Sequence, residues 1–258
     1  MSILKSVITG RRVQPPRITI YGPGGVGKTT WASGAPSPII LATEDGRGNL
    51  STPTLPLSKS MAEVGAALVA LREEEHAYKT LIVDSLDHLE PLIWRQVIEQ
   101  AANPKIKSIE DFGYGKGYVE AMGTWRKFFG HLADLRDKRG MAIVLVAHHE
   151  IKAFQDPTSD PYDRYQIKLH KAAAGLVQEW SDAVLFATYQ TTVIEGDNGK
   201  TRGVGCGKRT LLTEERPTHV AKNRWSLPYE LDMPLSNSFQ PFADALRTAT
   251  VPPTPKEA

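Results

Sequence analysis

Gly22-Pro23-Gly24-Gly25-Val26-Gly27-Lys28-Thr29 follows directly on the β-branched run Arg17-Ile18-Thr19-Ile20-Tyr21. The octet fits G-x-x-x-x-G-K-[ST], and it lies where that pattern requires, between a strand and a helix expected over Val26 to Ser33 and stopped by Gly34 and Pro36. Glycines let successive backbone N–H groups turn inward around a phosphate, and the helix N-terminus adds its dipole. Lys28 is then placed to reach β- and γ-phosphates, the Thr29 hydroxyl to bind Mg2+, and Thr30 to complete the nucleotide-binding set. The competing reading is a glycine turn with a solvated lysine. Chance would match the four fixed positions in only about one chain of this length in a hundred, and the flanking elements weigh against it.

Outward from the loop, strand signals recur at Ile39–Ala42, Thr80–Val83, Ala142–Ala147 and Ala183–Thr188. Between them lie helical periods: Met61, Val64, Leu68, Leu71; then Leu89, Leu92, Ile93, Val97; then Trp125, Phe128, Phe129, Leu132, Leu135. Near-continuous apolar strands alternating with helices predict a mostly parallel sheet covered on both faces. After Ala183 the pattern changes to short alternating runs, with a turn signal at Asp197-Asn198-Gly199, and predicts an antiparallel extension without a second core. A final helix is expected over Phe239–Leu246. The chain divides into an N-terminal arm (1–16), a core (17–247) and a tail (248–258).

The 258 residues carry 41% apolar and 23% charged side chains, the composition of an ordinary globular chain. One cysteine, Cys206, excludes a disulfide framework and a four-cysteine zinc site. No stretch approaches the apolar length of a membrane span or a signal peptide, which predicts a soluble intracellular protein. The net charge of +2 is too mild to indicate nucleic acid by itself.

A nucleoside triphosphatase also needs a strand-end carboxylate to hold the metal, and Asp84 closes Leu81-Ile82-Val83, 56 residues beyond Lys28. The alternative role for Asp84 is a helix N-cap. Ser85 follows it, so a water-polarising glutamate must come from elsewhere. Glu44, ending the next strand after the loop, is expected near the same sheet edge and is assigned to orient the attacking water, with Asp45 as second choice. A solvated loop carboxylate is the competing reading.

Taken in order, the loop at Gly22–Thr29, Glu44, Val83-Asp84-Ser85 and Ile143–His148 resemble the ATPase core of RecA/RadA recombinases. More narrowly the chain is similar to phage-encoded RecA-core proteins proposed to anneal single-stranded DNA. The resemblance implies an α/β RecA-like P-loop NTPase: a mostly parallel central sheet flanked by helices, with a C-terminal antiparallel extension. Recombinases usually end the strand equivalent to Ile143–Ala147 with a glutamine that couples the γ-phosphate to DNA. His148 stands there, and imidazole also donates to phosphate. Joint metal ligation by His148 and His149 is disfavoured, because adjacent residues on a strand face opposite ways.

Val220-Ala221-Lys222-Asn223-Arg224 resembles the recombinase segment whose paired basic residues reach a neighbouring subunit's nucleotide. The resemblance implies Lys222 and Arg224 acting in trans in a homo-oligomeric ring or filament, an effect worth about three to five orders of magnitude in rate elsewhere. An exposed basic strand is the alternative. The recombinase DNA loops correspond to Asn103–Tyr118, with Tyr114, Lys116 and Tyr118, and to Ile151–Lys171, with Arg164, Tyr165, Lys168 and Lys171. Stacking on such aromatics is sequence-tolerant.

The implied function is an ATPase, dependent on ATP and Mg2+, that binds single-stranded DNA and promotes annealing or recombination, phage-encoded and working in the bacterial cytoplasm. A single-strand-binding protein is a candidate partner. Two other classes remain open: an ATP-dependent loader or regulatory switch acting on protein partners, and a small-molecule kinase in which Lys222 and Arg224 act in cis.

Overall fold

Strands that are apolar on every residue need cover on both faces, and the computed structural model supplies it. Residues 7, 14–46, 48, 50–158, 160–195 and 201–250 are described. In chain order the first elements are β1 (Arg17–Gly22), α1 (Lys28–Ser33), β2 (Pro38–Ala42), α2 (Met61–Glu73), β3 (Thr80–Asp84) and α3 (Leu86–Gln100). A 3-10 turn (Ile109–Phe112) and α4 (Lys116–Arg139) lead to β4 (Ala142–Phe154), β5 (Tyr162–Ile167), α5 (Lys171–Trp180), β6 (Ala183–Glu195) and β7 (Thr201–Leu212). Then come β8 (Lys222–Asn223), β9 (Glu230–Asp232) and α6 (Gln240–Thr250).

The described strands form one sheet in the order β2-β3-β4-β1-β6-β7-β9, with β5 paired to β4 and β8 to β6. The first five positions are parallel, and β7, β9, β8 and β5 are antiparallel to their neighbours. On one face α2, α3, α4 and α5 bury Leu68, Ile93, Trp125, Leu132 and Val177 against Leu41, Val83 and Leu145. On the other, Trp31 of α1 and Phe242 of α6 close over Ile18, Ile20, Ile82 and Val146. Each fully buried aliphatic side chain removes apolar surface worth roughly 1.5–3 kcal/mol from water. This doubly covered core keeps the parallel strand ends in register. No described helix is long and apolar enough to cross a membrane.

Several boundaries differ from expectation. Helix α1 begins at Lys28, because Gly27 takes φ +96° and Val26 stays in the loop. Ile151–Lys171 is no open loop: β4 runs on to Phe154, and His149↔Ile167 through Phe154↔Tyr162 pair as an antiparallel hairpin before α5 starts at Lys171. The ladder between the two strands satisfies backbone groups that a loop would leave to water. Asn103–Tyr118 holds the 3-10 turn and the first residues of α4. The final helix, expected over Phe239–Leu246, runs from Gln240 to Thr250. The turn at Asp197-Asn198-Gly199, residues 251–258 and all of Ser2–Val13 except Val7 lie outside the described residues.

Candidate nucleotide-binding site

The parallel strands β1, β2, β3 and β4 deliver Gly22, Ala42, Asp84 and His148 to one edge of the sheet, where ligands of open α/β folds bind. Because β4 runs between β1 and β3, His148 falls between the phosphate loop and Asp84. A cleft of about 550 Å³ opens there, lined by Gly25, Lys28, Thr29, Glu44, Asp84 and His148, with Gly27 and Thr30 on its wall. Glu44 is on that wall, whereas Asp45 is exposed and outside it.

Two side chains in the cleft are buried and only partly satisfied. Lys28 donates from Nζ to the carbonyls of Gly22 at 3.0 Å and Pro23 at 2.9 Å, so its charge faces carbonyls rather than a counter-ion. Burial pushes its pKa below the usual lysine value. Asp84 accepts from the Thr29 hydroxyl through Oδ2 at 2.8 Å, while its buried Oδ1 has no hydrogen-bond partner. Burial raises the Asp84 pKa against the opposing pull of Thr29. A bound polyphosphate and a hard cation would relieve both penalties. Asp84 is not a cap, since Ser85 occupies that position before α3.

Glu44 is set by the continuation of the β2–β3 pairing, Thr43 N donating to the Asp84 carbonyl at 2.8 Å and Thr43 Oγ1 to the Ser85 carbonyl at 2.7 Å. Its Oε2 lies 2.7 Å from Nδ1 of His88, one turn into α3. His148 is held by Asp87, which accepts from the His148 backbone N–H at 3.0 Å and from Nδ1 at 2.9 Å. Burial alone would raise Asp87, but these hydrogen bonds hold its carboxyl far below the ordinary range, and the same contact raises His148. His148 lines the cleft, and its Nε2 takes no part in the pairing with Asp87. His149 faces the other way, its ring 5.3 Å from Tyr165.

The antiparallel part of the sheet also reaches the loop. From β7, Arg209 donates to the carbonyls of Val26 at 3.1 Å and Pro234 at 2.7 Å, and Tyr189 of β6 donates to the Gly25 carbonyl at 3.2 Å. A Cβ at Gly27 would strike the Arg209 guanidinium, which with the positive φ explains glycine there. Asp87, His88, Tyr189 and Arg209 were not foreseen. Asp87 and His88 had a signal, lying three and four residues beyond Asp84 at the start of a helix, whereas Tyr189 and Arg209 had none.

Other expected positions fall elsewhere. Lys222 and Arg224 lie at the far end of the sheet from the loop of their own chain: Lys222 pairs with Val184, beside the start of β1. Lys222 donates to the Gln178 and Glu179 carbonyls at 2.7 and 3.0 Å, and Arg224 pairs with Asp182 at 3.1 Å. A kinase using them in cis would need them at their own cleft, and in this structure they are not there. Arg164 is turned inward, ion-paired with Glu215, donating to the His219 carbonyl at 3.2 Å and stacked on Phe154. It is a packing residue, not a surface contact. Tyr118 is half-buried, one ring face stacked on His170 at 4.0 Å and its hydroxyl on Glu110 at 2.6 Å. Tyr114, Lys116, Tyr165, Lys168 and Lys171 are exposed.

No curated protein matches the chain. The family model described as AAA domain matches residues 14–225, from just before β1 to just beyond β8. That span contains the phosphate loop, Asp84 and the whole parallel sheet, and the chain belongs to this AAA domain family of P-loop ATPases.

Proposed function

We propose that the chain hydrolyses ATP with Mg2+ in this cleft and uses the cycle to alter its hold on single-stranded DNA, promoting annealing. The observation that carries the hydrolytic part is the pairing of Thr29 Oγ1 with Asp84 Oδ2 at 2.8 Å beside an unpartnered, buried Oδ1. This all-oxygen donor set with room for water fits Mg2+, which would be held by Thr29 and by Asp84 and would neutralise charge on the β- and γ-oxygens. Lys28 exchanges its carbonyl partners for phosphate oxygens, and the amides of Gly24 to Thr29 enclose them. Glu44 orients the attacking water and accepts its proton. As the imidazolium, the form that the Asp87 contact favours, His148 donates from Nε2 to the γ-phosphate while Nδ1 stays on Asp87.

Support for DNA comes from continuity: β4 passes His148 and becomes the hairpin that carries exposed Tyr165 and, after it, Lys168. A change at the γ-phosphate is thus one strand away from that surface. The two proposed DNA segments also meet, since Tyr118 stacks on His170. Lys222 and Arg224, remote from their own cleft, are suited to the cleft of a second copy, so assembly completes the site.

Lys28→Ala is expected to abolish phosphate release from ATP, and turnover equal to wild type would refute the site. Anisotropy with a labelled oligonucleotide should show salt-sensitive binding by the wild type. No binding at high protein concentration would sink the DNA reading and leave the switch acting on protein partners.

A further inference from the structure

Glu44, His88 and His148 come from β2's end, α3 and β4, and each places one ligand atom within 4.8 Å of the other two. The Glu44 Oε2 to His88 Nδ1 separation is 2.7 Å, and the two imidazoles stand edge to face at 6.1 Å. Around a tetrahedral zinc ion with bonds of about 2.0–2.1 Å, neighbouring donors are about 3.4 Å apart, so rotamer adjustments of about 1 Å bring all three into range. A second feature is typical of metal-bound histidine: Asp87 accepts the Nδ1 proton of neutral His148 at 2.9 Å, which fixes the tautomer and leaves the lone pair of Nε2 for an ion. Ser85 Oγ lies 2.9 Å from the same His88 Nδ1 and gives up that contact when the nitrogen takes the ion. Glu44 and His148 line the nucleotide cleft, so an ion here would keep an open position facing solvent or phosphate.

Donor chemistry separates this cluster from the pairing of Thr29 with Asp84. Mg2+ prefers oxygen ligands and retains water, whereas two imidazoles and a carboxylate suit zinc, cobalt or nickel. We propose that Glu44, His88 and His148 bind a transition-metal dication at a site distinct from the Mg2+ position, and that its occupancy takes Glu44 and His148 away from the γ-phosphate and stops hydrolysis. The inhibitory consequence rests on the hydrolytic reading above; the binding itself does not.

The test uses the full chain in a Cys206→Ser background, which removes the lone thiol, free of nucleotide. Co2+ is titrated by visible absorption, then displaced by Zn2+. One equivalent with ligand-field bands is expected, insensitive to excess Mg2+. Affinity should fall by about 100-fold or more in His88→Ala and in Glu44→Gln, since loss of a ligand exceeds the 10–100-fold cost of losing an outer partner. Two variants on different elements, checked for an unchanged circular dichroism spectrum, separate ligand loss from misfolding. Zn2+ should inhibit ATP turnover of the background protein but not of His88→Ala, each normalised to its own uninhibited rate. Equal Co2+ affinity in all three proteins, or no bands in the background protein, overturns the site, and binding without inhibition overturns its consequence. Normal Co2+ binding with no ATP turnover in any protein would uphold the metal site and refute the hydrolytic reading instead.

Discussion

The parallel half of the sheet and its antiparallel margin are built differently and serve the cleft differently. In β2, β3, β4 and β1 both faces are buried, so the strand ends that carry Asp84 and His148 are held by the core itself. In β6 and β7 the reach toward the phosphate loop depends on individual long side chains, Tyr189 and Arg209, meeting the carbonyls of Gly25 and Val26. A site assembled from strand ends owes its geometry to packing, whereas one braced by single polar contacts can lose a brace without losing the fold. Chemistry should therefore fail sharply when the parallel half is altered and decline gradually when the margin is.

Among substitutions that leave nucleotide binding intact, the largest expected effect is at Glu44. Glu44→Gln keeps shape and a hydrogen bond but cannot take a proton, and kcat for ATP should fall by about 10²–10⁴-fold while nucleotide affinity stays within a few-fold. Steady-state kinetics beside equilibrium binding of a fluorescent nucleotide separates the two, and an unchanged kcat removes Glu44 from the mechanism.

Next is Glu90 of α3, buried behind the parallel half and accepting from His170 N–H at 3.0 and 3.2 Å. Burial pushes its pKa up to about 7 from 4.5. A carboxyl raised on folding binds more protons in the folded state, so it costs nothing below about pH 4.5, and its penalty grows as pH rises and is complete above about pH 7. Glu90→Gln, which cannot ionise, should match wild type below pH 4.5 and be more stable at pH 8 by on the order of 3 kcal/mol. Chemical denaturation at the two pH values reads this, and a constant difference between them would contradict it.

At the surface, Tyr114 is fully exposed between Gly113 and Gly115, so removing it costs the fold nothing. If it stacks on a base, Tyr114→Ala weakens oligonucleotide binding by about 1–3 kcal/mol with an unchanged melting temperature. Identical anisotropy curves would discharge it from the interface. The smallest effect is expected at the margin. Arg209→Ala removes the one hydrogen bond that braces the loop, at Val26, together with its anchor on Pro234, and nucleotide affinity should fall about three- to tenfold with kcat nearly kept, on the scale of a single net hydrogen bond of about 0.5–1.5 kcal/mol. A collapse of kcat there would erase the contrast between the two regions.

The uneven legibility of the chain follows from the range of its interactions. Gly22–Thr29, Asp84 and the strand starts at Arg17 and Thr80 could be read directly, because turn glycines and apolar runs act within a few residues. The hairpin from His149 to Ile167 could not, because its polar alternation is satisfied only by pairing two segments of one another. Arg164 looked like a basic surface residue, yet Glu215 and the His219 carbonyl, some fifty residues later, draw it inward. His148 was assigned to the phosphate from its strand, but the partner that fixes its tautomer, Asp87, and the neighbour that accompanies it, His88, come from another helix.

By itself, the order of residues determined the phosphate loop, the carboxylate that faces it and a parallel sheet covered on both sides, since each follows from local backbone freedom or from apolar periodicity. Tertiary structure alone decided which polar side chains meet: Glu44 with His88, His148 with Asp87, Arg209 with the loop, and Lys222 and Arg224 at the sheet's far end. The physical reason is that polar contacts are short-ranged and directional. Their partners are chosen by how distant segments are packed, and no spacing along the chain records that choice.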